Sequence, residues 1–406
     1  MLWNNTNMSI SLTPIPLPSS IVRLCSVIRE ANGRAFVVGG AVRDHLLQLP
    51  SKDIDLEVHG IEPDRLLEIL RHHGKPNPVG KSFDIWKLSI TKHVIDVALP
   101  RSGIFSGITE ACRRRDLTLN SIAYDPAEET YHDPFDGISD LARKLLRATD
   151  PIFFAEDPLR VLRVAQFASR FQFEIDPSLI KLCQQQDLRS IAKERVAVEF
   201  EKCWIKSKQP SVGIQYFLQL GVVEQYFEEW PGLSDPLLQQ SLDRGKNLFQ
   251  ENLGWNMALF WAISLHRCTP PQAEKIMDRM HLFTYRQFNI RQAVLSSLAF
   301  SKMLADRDSS ILRRQAAEDF RLDFLCAVAK TIWTNGLAQQ NLTKAILEGI
   351  ENKPLPRIIQ GRDLMKLNIQ GPDVGSCLRF LRKQQIQGIL SSREEALNAA
   401  KRWRPS

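Results

Sequence analysis

The chain has 406 residues, a formal net charge of +7, 44% hydrophobic residues and 24% charged residues. These values are typical of folded globular proteins and exclude wholesale disorder and collagen-like repeats. No segment reaches the roughly 18 to 20 uncharged apolar residues of a membrane span, and residues 1–18 lack the pattern of a secretory signal. Seven scattered cysteines without a CxxC pair disfavour disulfide frameworks and zinc sites. We therefore expect a cytoplasmic protein without a membrane partner, translated from Met1 or Met8.

The positive charge is concentrated at the carboxyl end of the chain. Residues 341–406 contain twelve Lys and Arg against six Asp and Glu, a surplus of +6. A basic tail on a near-neutral body indicates a polyanionic partner. A solvated helical surface would have the same composition, so charge alone leaves both interpretations open.

The first third of the chain has the pattern of an α/β domain. In chain order, hydrophobic periodicity predicts a buried strand over 35–38, a helix over 41–49, a strand over 54–58, a helix over 63–72 and paired strands over 85–90 and 94–99. Strand signals fade after residue 147, and the pattern is helical almost throughout from Pro151. We therefore expect an α+β protein, with an α/β head built on a mostly β-sheet core, followed by an elongated all-α region.

Two aspartates follow the first predicted strand and helix. Asp53 and Asp55 have the spacing of residues on one face of a strand, and Asp96 lies on a neighbouring predicted strand. Adjacent carboxylates repel each other, and a divalent cation relieves that repulsion. Mg²⁺ takes oxygen ligands and keeps water and phosphate oxygens in the rest of its shell. An exposed acidic strand edge is the alternative interpretation.

A glycine pair lies between the first strand and the first helix of the predicted head. Gly39 and Gly40 would let the backbone approach phosphates, and the N-terminus of the following helix favours anions. Arg43, one turn into that helix, could reach the same phosphates. A glycine pair alone is usually a plain turn. The ordered combination of strand, glycine pair, helix and Asp-x-Asp is more specific and indicates phosphoryl transfer.

Five motifs, in order, resemble those of the nucleotidyltransferase family that contains tRNA CCA-adding enzymes and bacterial poly(A) polymerases. The catalytic motif is similar to residues 39–55, and the others to residues 114–120 (ribose), 133–141 (hinge), 156–160 (base recognition) and a helix with Glu194, Arg195 and Glu199. The resemblance implies catalytic Asp53, Asp55 and Asp96, with Mg²⁺ on Asp53 and Asp55, and nucleotide contacts from Gly39, Gly40 and Arg43.

The resemblance also implies which residues read the incoming nucleotide. Asp157 and Arg160 would pair with the Watson–Crick edge of the base, an acceptor and a donor fork held three residues apart on one helical face. Arg115 and Arg163 would contact nucleotide or phosphate, and Asp116 would accept from a ribose 2′-OH. The alternatives are a surface ion pair on the helix and, for Asp116, a cap for a short following helix.

The family architecture implies a division of the whole chain. We expect a lead-in with a first helix over 1–32, a nucleotidyltransferase head over 33–147, a neck that recognises the base over 148–230, a helical body over 231–340 and a helical tail over 341–406. In the family such tails lie along the acceptor and T arms of tRNA, and backbone contacts of this kind position the RNA without reading its sequence. The tRNA-binding candidates in the tail are Arg379, Arg382 and Lys383.

The segment between the catalytic and ribose motifs is short. Only residues 102–112 separate Arg101 from Arg113, where CCA-adding members carry a long flexible loop. In this family a missing loop marks enzymes that add only the two C residues. We therefore expect template-independent transfer of CMP from CTP to the tRNA 3′ end, with release of pyrophosphate by a two-metal mechanism. A separate A-adding enzyme, not necessarily bound, would complete the end.

Three other functions stay open from the sequence. A shortened loop without consequence would leave a full CCA-adding enzyme that also uses ATP. Poly(A) polymerases usually carry two basic residues after the glycine of the stretch that corresponds to residues 80–83, and Ser82 at the second position favours the tRNA branch. A catalytically silent RNA-binding scaffold would have no use for a metal-binding carboxylate pair.

Overall fold

The computed structural model describes residues 10–51, 53–79, 85–101, 103–227 and 230–404. It divides into two compact units, the first comprising Met1–Cys203 and Gln215–Tyr226, the second Trp204–Ile214 and Phe227–Ser406. Among the described residues, no helix combines the length and apolar character needed to cross a bilayer.

The first unit is built around a mixed sheet. Its strands are β1 (Arg34–Val38), β2 (Asp55–His59), β3 (Lys75–Val79), β4 (Ile85–Ile90), β5 (His93–Ala98), β6 (Ala123–Asp125), β7 (Thr130–His132), β8 (Leu145–Leu146) and β9 (Glu174–Ile175). The first seven form one sheet in the order β3-β4-β5-β2-β1-β6-β7, while β8 pairs with β9. Strands β2 and β5 run parallel, and their neighbours pair antiparallel.

The first unit also contains helices, which alternate with the strands along the chain and follow the last strand, β9. Up to residue 226 they are α1 (Ser19–Glu30), α2 (Gly40–Leu46), α3 (Pro63–His73), α4 (Ile108–Arg113), α5 (Gly137–Ala142), α6 (Pro151–Ala155), α7 (Leu159–Phe171), α8 (Pro177–Gln184), α9 (Lys193–Lys206), α10 (Pro210–Gln219) and α11 (Val222–Tyr226), with a 3₁₀ turn at Thr118–Asn120. The prediction of an α+β protein with an α/β head followed by helices is confirmed.

The rest of the chain is helical apart from one small hairpin, β10 (Thr284–Tyr285) and β11 (Phe288–Asn289). Its helices are α12 (Pro236–Lys246), α13 (Leu253–Ser264), α14 (Pro270–Arg279), α15 (Ile290–Asp306), α16 (Ser310–Asp319), α17 (Leu322–Ile332), α18 (Ala338–Glu348), α19 (Gly361–Met365), α20 (Pro372–Ile386) and α21 (Arg393–Arg402).

Local sequence explains several helix starts. Asp150, Asp176 and Asp235 each precede a proline, and each side chain accepts a backbone N–H from the first turn of α6, α8 and α12 respectively. An acidic N-cap satisfies an otherwise unpaired donor, and proline at the first helical position has no N–H to satisfy. These Asp-Pro pairs therefore fix where the three helices begin.

Most predicted elements differ from the structure by one or more residues at their ends. Asp53 lies before β2, so the expectation that both aspartates sit on one strand is wrong: the chain joins the sheet only at Asp55, which pairs with Val38 of β1. The helix expected over 41–49 ends at Leu46, because the backbone turns left-handed at Gln48, with φ of 55°. In the paired strands, β4 spans 85–90 as predicted and β5 starts one residue early.

Candidate functional site

The acidic side chains meet at one edge of two neighbouring strands. Asp55 opens β2 and pairs directly with Asp96 of the parallel strand β5, while Asp53 lies just before β2. Burial, and then the charge of Asp96, raises the pKa of Asp55 above its ordinary value, although Arg115 opposes the shift. Within the described part of the chain none of the three aspartates forms an ion pair. The corner is therefore an anionic site whose charge Arg115 offsets only in part.

The donor set of this corner fits a hard divalent cation. The residues that the structure describes contain no group of three or more His, Cys, Asp or Glu side chains arranged to hold a metal ion. Two or three carboxylates without basic partners would leave most of the coordination shell to water and phosphate oxygens. Mg²⁺ is commonly bound in this way, through one or two carboxylates and the substrate's phosphates.

Gly39 leaves room for an arginine beside the carboxylates. It lies between β1 and α2 with φ of 68°, a conformation that favours glycine. A Cβ atom at this position would lie 3.2 Å from Nη1 of Arg115 and 3.9 Å from Oδ2 of Asp55. The structure thus brings together the glycine turn, Arg115 and Asp55, while Gly40 forms the first residue of α2. A triphosphate approaching this turn would meet Arg115 and the carboxylate corner.

Glu57 holds Arg115 in this position, a contact that the sequence-based interpretation missed. Nη2 of Arg115 donates to Oε2 of Glu57 at 3.0 Å, and Nε2 of His59 lies 3.0 Å from the other carboxylate oxygen. Burial alone would raise the pKa of Glu57, but the hydrogen bond with His59 and the charge of Arg115 hold it below its ordinary value. The signal was available, because Asp55, Glu57 and His59 alternate along β2 and share one face.

Arg43 is buried and also lies beside the glycine turn, because a Cβ atom at Gly40 would lie 3.5 Å from its Nη2. Its guanidinium is buried, donates to Oδ1 of Asp44 at 2.7 and 2.8 Å and to Oδ1 of Asn120 at 2.6 Å. It also lies over the rings of Phe167 and Phe171, 5.2 and 5.0 Å from their centroids. Direct contact with a phosphate stays a prediction, and it would require this guanidinium to leave its present partners.

Asp116 is buried and has protein partners on both carboxylate oxygens. Oδ2 accepts from Nε of Arg163 at 2.7 Å, and Oδ1 accepts from Nδ2 of Asn120 and from the backbone N–H of Leu117, both at 2.9 Å. Burial alone would raise the pKa of Asp116, but the charge of Arg163 and the hydrogen bond from Asn120 lower it. The short 3₁₀ turn begins at Thr118 with Leu117 at its N-cap position and no side-chain cap, so the alternative that Asp116 caps a helix starting at Leu117 is wrong. Contact with a ribose hydroxyl stays a prediction.

Of the proposed base-reading residues, Arg160 lies in the first turn of α7 and Asp157 lies two residues before the helix, so the expectation that both sit on one helical face is wrong. Asp157 accepts from the backbone N–H of Leu159 at 3.2 Å and from Nη2 of Arg195 at 2.7 Å. The half-buried Arg160 donates from Nη1 to the carbonyl oxygen of Phe153 at 2.6 Å and from Nη2 to that of Arg114 at 2.8 Å. A guanidinium has five N–H donors, so these two bonds fix its plane and leave donors for a ligand.

Hydrogen bonds connect the ribose motif to the glycine turn. Arg163 of α7 binds Asp116, Asp116 binds Asn120, and Asn120 binds Arg43 of α2, whose Asp44 also accepts from Nη2 of Arg170 at 3.3 Å. Each charged member has a charged or amide partner, which is what a buried polar network requires. Helix α7, which carries Arg160, is therefore held against α2, the helix that follows Gly39.

The segment that replaces a long loop is short in the structure as well. Strand β5 ends at Ala98 and α4 begins at Ile108, with Ser102 outside the described residues. The backbone N–H of Gly60 donates to the carbonyl oxygen of Ile104 at 2.7 Å, which ties this segment to the end of β2. The stretch over 80–83 that bears on poly(A) polymerases also lies outside the described residues.

The three candidate RNA-binding residues of the tail have different environments on α20. Arg379 and Lys383 are exposed and four residues apart, so they lie on one side of the helix. Arg382 is only 14% exposed and forms an ion pair with Glu318, with further bonds to Oε1 of Gln385 at 2.7 Å and to a backbone carbonyl at 2.8 Å. Its donors are thus largely occupied within the protein.

Comparison with known proteins gives both sequence and structural relatives. Residues 35–147 match the family model of the Poly A polymerase head domain. The Multifunctional CCA protein of Mannheimia succiniciproducens is 38% identical over 218 residues, 48% of this chain and 50% of that protein. The CCA-adding enzyme of Actinobacillus succinogenes is 36% identical over 232 residues, 52% of this chain and 56% of that protein. The chain thus spans about half the length of the curated relatives it matches.

Solved structures extend the likeness to nearly the whole chain at the level of fold. The Thermotoga maritima CCA-adding enzyme complexed with tRNA matches 95% of this chain and 95% of its own, with a TM-score of 0.68 and 23% identity. A CCA-adding enzyme in complex with CTP matches 94% and 95%, with a TM-score of 0.71 and 23% identity. At this identity the likeness shows a shared fold.

Proposed function

We propose that the chain is a member of the nucleotidyltransferase family of tRNA CCA-adding enzymes and bacterial poly(A) polymerases, as its matches to the Poly A polymerase head domain and to CCA proteins support. We propose that it transfers CMP from CTP to the 3′ end of tRNA with release of pyrophosphate. The observation that carries the proposal is the pairing of Asp55 with Asp96 next to Gly39 and Arg115. This arrangement offers carboxylates for a cation and a backbone turn with an arginine for phosphates.

Each part of the corner has a role in phosphoryl transfer. Asp53 and Asp55 would hold Mg²⁺, which when bound supplies charge neutralisation and activates the attacking hydroxyl, and Asp96 would be the third catalytic carboxylate. Arg115 would orient the triphosphate against the turn at Gly39. The protein's own contribution is positioning and electrostatic stabilisation, the main needs of a reaction with a loose transition state.

Base and sugar would be selected from the side of α7. Asp157 offers acceptors and Arg160 donors, and together they suit the N4 amino group and the O2 and N3 acceptors of cytosine. The polar network through Asp116 and Arg163 would hold the ribose side of the pocket. No nucleic acid template is needed, because the protein side chains provide the pairing edge.

We further propose that addition stops after two C residues and that the product passes to a separate A-adding activity. The support is the short segment over 99–107, which is hydrogen-bonded to the end of β2 through Ile104. Accepting ATP would require the side chains at 157 and 160 to present a different pattern, and a short tied segment has little reach to rearrange them. Arg379 and Lys383 would contact the acceptor and T arms of the tRNA, and the seven buried free cysteines fit a reducing cytoplasm.

The test is extension of a tRNA that lacks its 3′ CCA, with each NTP alone and with CTP and ATP together. We expect two added nucleotides with CTP and no third when ATP is present. A second primer that already ends in CC, offered with ATP, isolates the last step. Absence of CMP transfer by the folded protein would contradict the nucleotidyltransferase proposal, whereas efficient three-nucleotide products would contradict the two-C limit only.

The full CCA-adding activity is the second candidate. It is favoured by the names of the relatives and by a structural neighbour, a CCA-adding enzyme in complex with ATP, that covers 93% of this chain at a TM-score of 0.71. The same assay separates the two. Long A tracts on unrelated RNA would instead indicate a poly(A) polymerase, and tRNA binding without transfer would indicate a scaffold.

A further inference from the structure

A buried histidine connects the short segment to the carboxylate that holds Arg115. Nδ1 of His59 lies 2.9 Å from the carbonyl oxygen of Ser106, and Nε2 lies 3.0 Å from Oε1 of Glu57. A carbonyl oxygen and an ionised carboxylate both accept and cannot donate. Each ring nitrogen of His59 therefore faces one acceptor, so that the imidazole connects the short segment to Glu57.

Glu57 is thereby fixed from two sides. Its side chain is 14% exposed and its second oxygen accepts from Arg115, whose own side chain is 23% exposed. A carboxylate that contacts a different side chain through each oxygen has little freedom to rotate, and it holds the arginine better than one exposed ion pair would. The side chain of Arg115 is consequently held against the turn at Gly39.

The short segment is hydrogen-bonded to the end of β2 through two of its carbonyl groups. The carbonyl oxygen of Ile104 accepts from Gly60 at 2.7 Å and that of Ser106 accepts from His59, both donors lying at the end of β2. Within the segment, the backbone N–H of Ser106 donates to the carbonyl oxygen of Gly103 at 2.9 Å. Phe105, between the two anchors, is 76% exposed and takes no part in holding the turn.

We propose that Glu57 and His59 are positioning residues that join residues 103–107 and Arg115 into one rigid unit, here called the brace. This inference rests on the proposed function, because it gives Arg115 the task of orienting the triphosphate of CTP. In this arrangement the short segment stabilises the nucleotide site instead of moving across it. The brace acts through Arg115 and touches neither the base nor the reacting atoms.

The test compares Glu57→Gln and His59→Phe with the full-length wild type. Gln keeps the volume of Glu57 but removes its charge, and Phe can fill the site of His59 without hydrogen bonds. We expect KM for CTP to rise about ten-fold in Glu57→Gln and less in His59→Phe, since a hydrogen bond to a charged group is worth about one to two decades. KM for the tRNA primer should stay within two-fold. His59→Gln, which keeps a donor, should recover part of the loss.

A double-mutant cycle decides whether Glu57 acts through Arg115. On an Arg115→Ala background, Glu57→Gln should cause no further rise in KM for CTP, whereas independent roles would give additive losses. Glu128→Gln is the matched control, because Glu128 pairs with Arg29 and Arg34 in the same unit and should leave both KM values unchanged.

Three results would overturn the brace: an unchanged KM for CTP in Glu57→Gln and His59→Phe, additive losses in the cycle, or equal rises in KM for CTP and tRNA. If Glu57→Gln fails to fold, as judged by thermal unfolding, the His59 variants carry the same test. Failure of the wild type to transfer CMP at all would refute the proposed function. The brace would then be tested by direct CTP binding, and unchanged binding in the variants would overturn it.

Discussion

Arg163 donates from Nε to Oδ2 of Asp116 at 2.7 Å, and the carboxylate it meets is only 7% exposed. The pair joins α7 to the turn that follows α4. The other carboxylate oxygen of Asp116 accepts from Nδ2 of Asn120. Removing one partner of such a pair is costly, because the other charge stays buried without compensation. This contact therefore links the stability of the first unit to the orientation of an arginine that we place in the nucleotide site.

Replacing Asp116 by Asn should destabilise the protein by about 3 kcal/mol, because Arg163 loses its charged partner while remaining partly buried. The effect has a defined pH dependence. Since the folded-state pKa of Asp116 is lowered, its stabilising contribution is fully present above the ordinary Asp value near 4 and is lost as pH falls through the lower folded value. Urea unfolding of both proteins should give a constant difference from pH 8 to 5, which shrinks only in stronger acid.

Asp187→Asn provides the matched control for that experiment. Asp187 pairs with Arg189 on the surface, where both side chains are more than half exposed, so its removal should change stability far less than Asp116→Asn does. A difference between Asp116→Asn and wild type that already shrinks between pH 7 and 5 would mean that another group controls the effect.

Asp55→Asn and Asp53→Asn should abolish CMP transfer while leaving tRNA affinity within about two-fold. Loss of a charge from the carboxylate corner removes transition-state stabilisation worth about 10²–10³ in rate for a single group. Transfer is measured with saturating CTP in Mg²⁺, and binding by an equilibrium titration with tRNA. Asp64→Asn, an exposed acidic residue of α3, should behave as wild type. Near wild-type turnover by either variant would refute the catalytic assignment.

Arg160→Ala and Asp157→Ala should weaken discrimination between CTP and the other NTPs by about one to two decades, with a smaller effect on tRNA binding. A pocket built to pair with polar groups rejects the wrong base because its own donors and acceptors are left unpaired. The measurement is kcat/KM for each NTP in single-nucleotide addition. Arg195→Ala, which removes only the partner of Asp157, should have a smaller effect on selection. Equal losses for all four NTPs would favour a structural role.

Local sequence patterns predicted four strands of the seven-stranded sheet, β1, β2, β4 and β5, and missed β3, β6 and β7. Alternation of apolar and polar residues located β4 and β5, and so placed Asp96 on a strand beside Asp55. The spacing of Asp53 and Asp55 was less informative, because strand pairing begins only at Asp55 and a two-residue spacing does not reveal where a strand starts.

Contacts over long sequence distances could not be predicted in this way. Arg43 looked like a phosphate ligand one turn into a helix, and its burial depends on Phe167 and Phe171, more than 120 residues away. Likewise, the sequence grouped Arg379, Arg382 and Lys383 as tRNA-binding candidates. Arg382 instead pairs with Glu318, which lies 64 residues earlier. Side-chain charge alone does not say which partner will neutralise it.

The tail should therefore separate into RNA-binding and structural cations. Arg379→Ala and Lys383→Ala should each weaken tRNA binding and lower the slope of log K against log salt by somewhat under one unit, because each exposed cation contacts about one phosphate. Arg382→Ala should instead lower the free energy of unfolding, since it leaves Glu318 and a backbone carbonyl without their donor. The measurements are tRNA titrations between 50 and 200 mM salt and urea unfolding of each variant.

Glu318→Ala is the companion variant that makes this separation sharp. If Arg382 serves the fold, removing either partner should destabilise the second unit, and the double variant should cost less than the sum of the two because the pair is lost only once. If Arg382 instead binds phosphate, Glu318→Ala would free its guanidinium and tighten tRNA binding, while Arg382→Ala would reduce the salt slope as much as Arg379→Ala does. The change in tRNA affinity of Glu318→Ala, measured in one titration, thus distinguishes the two roles of Arg382.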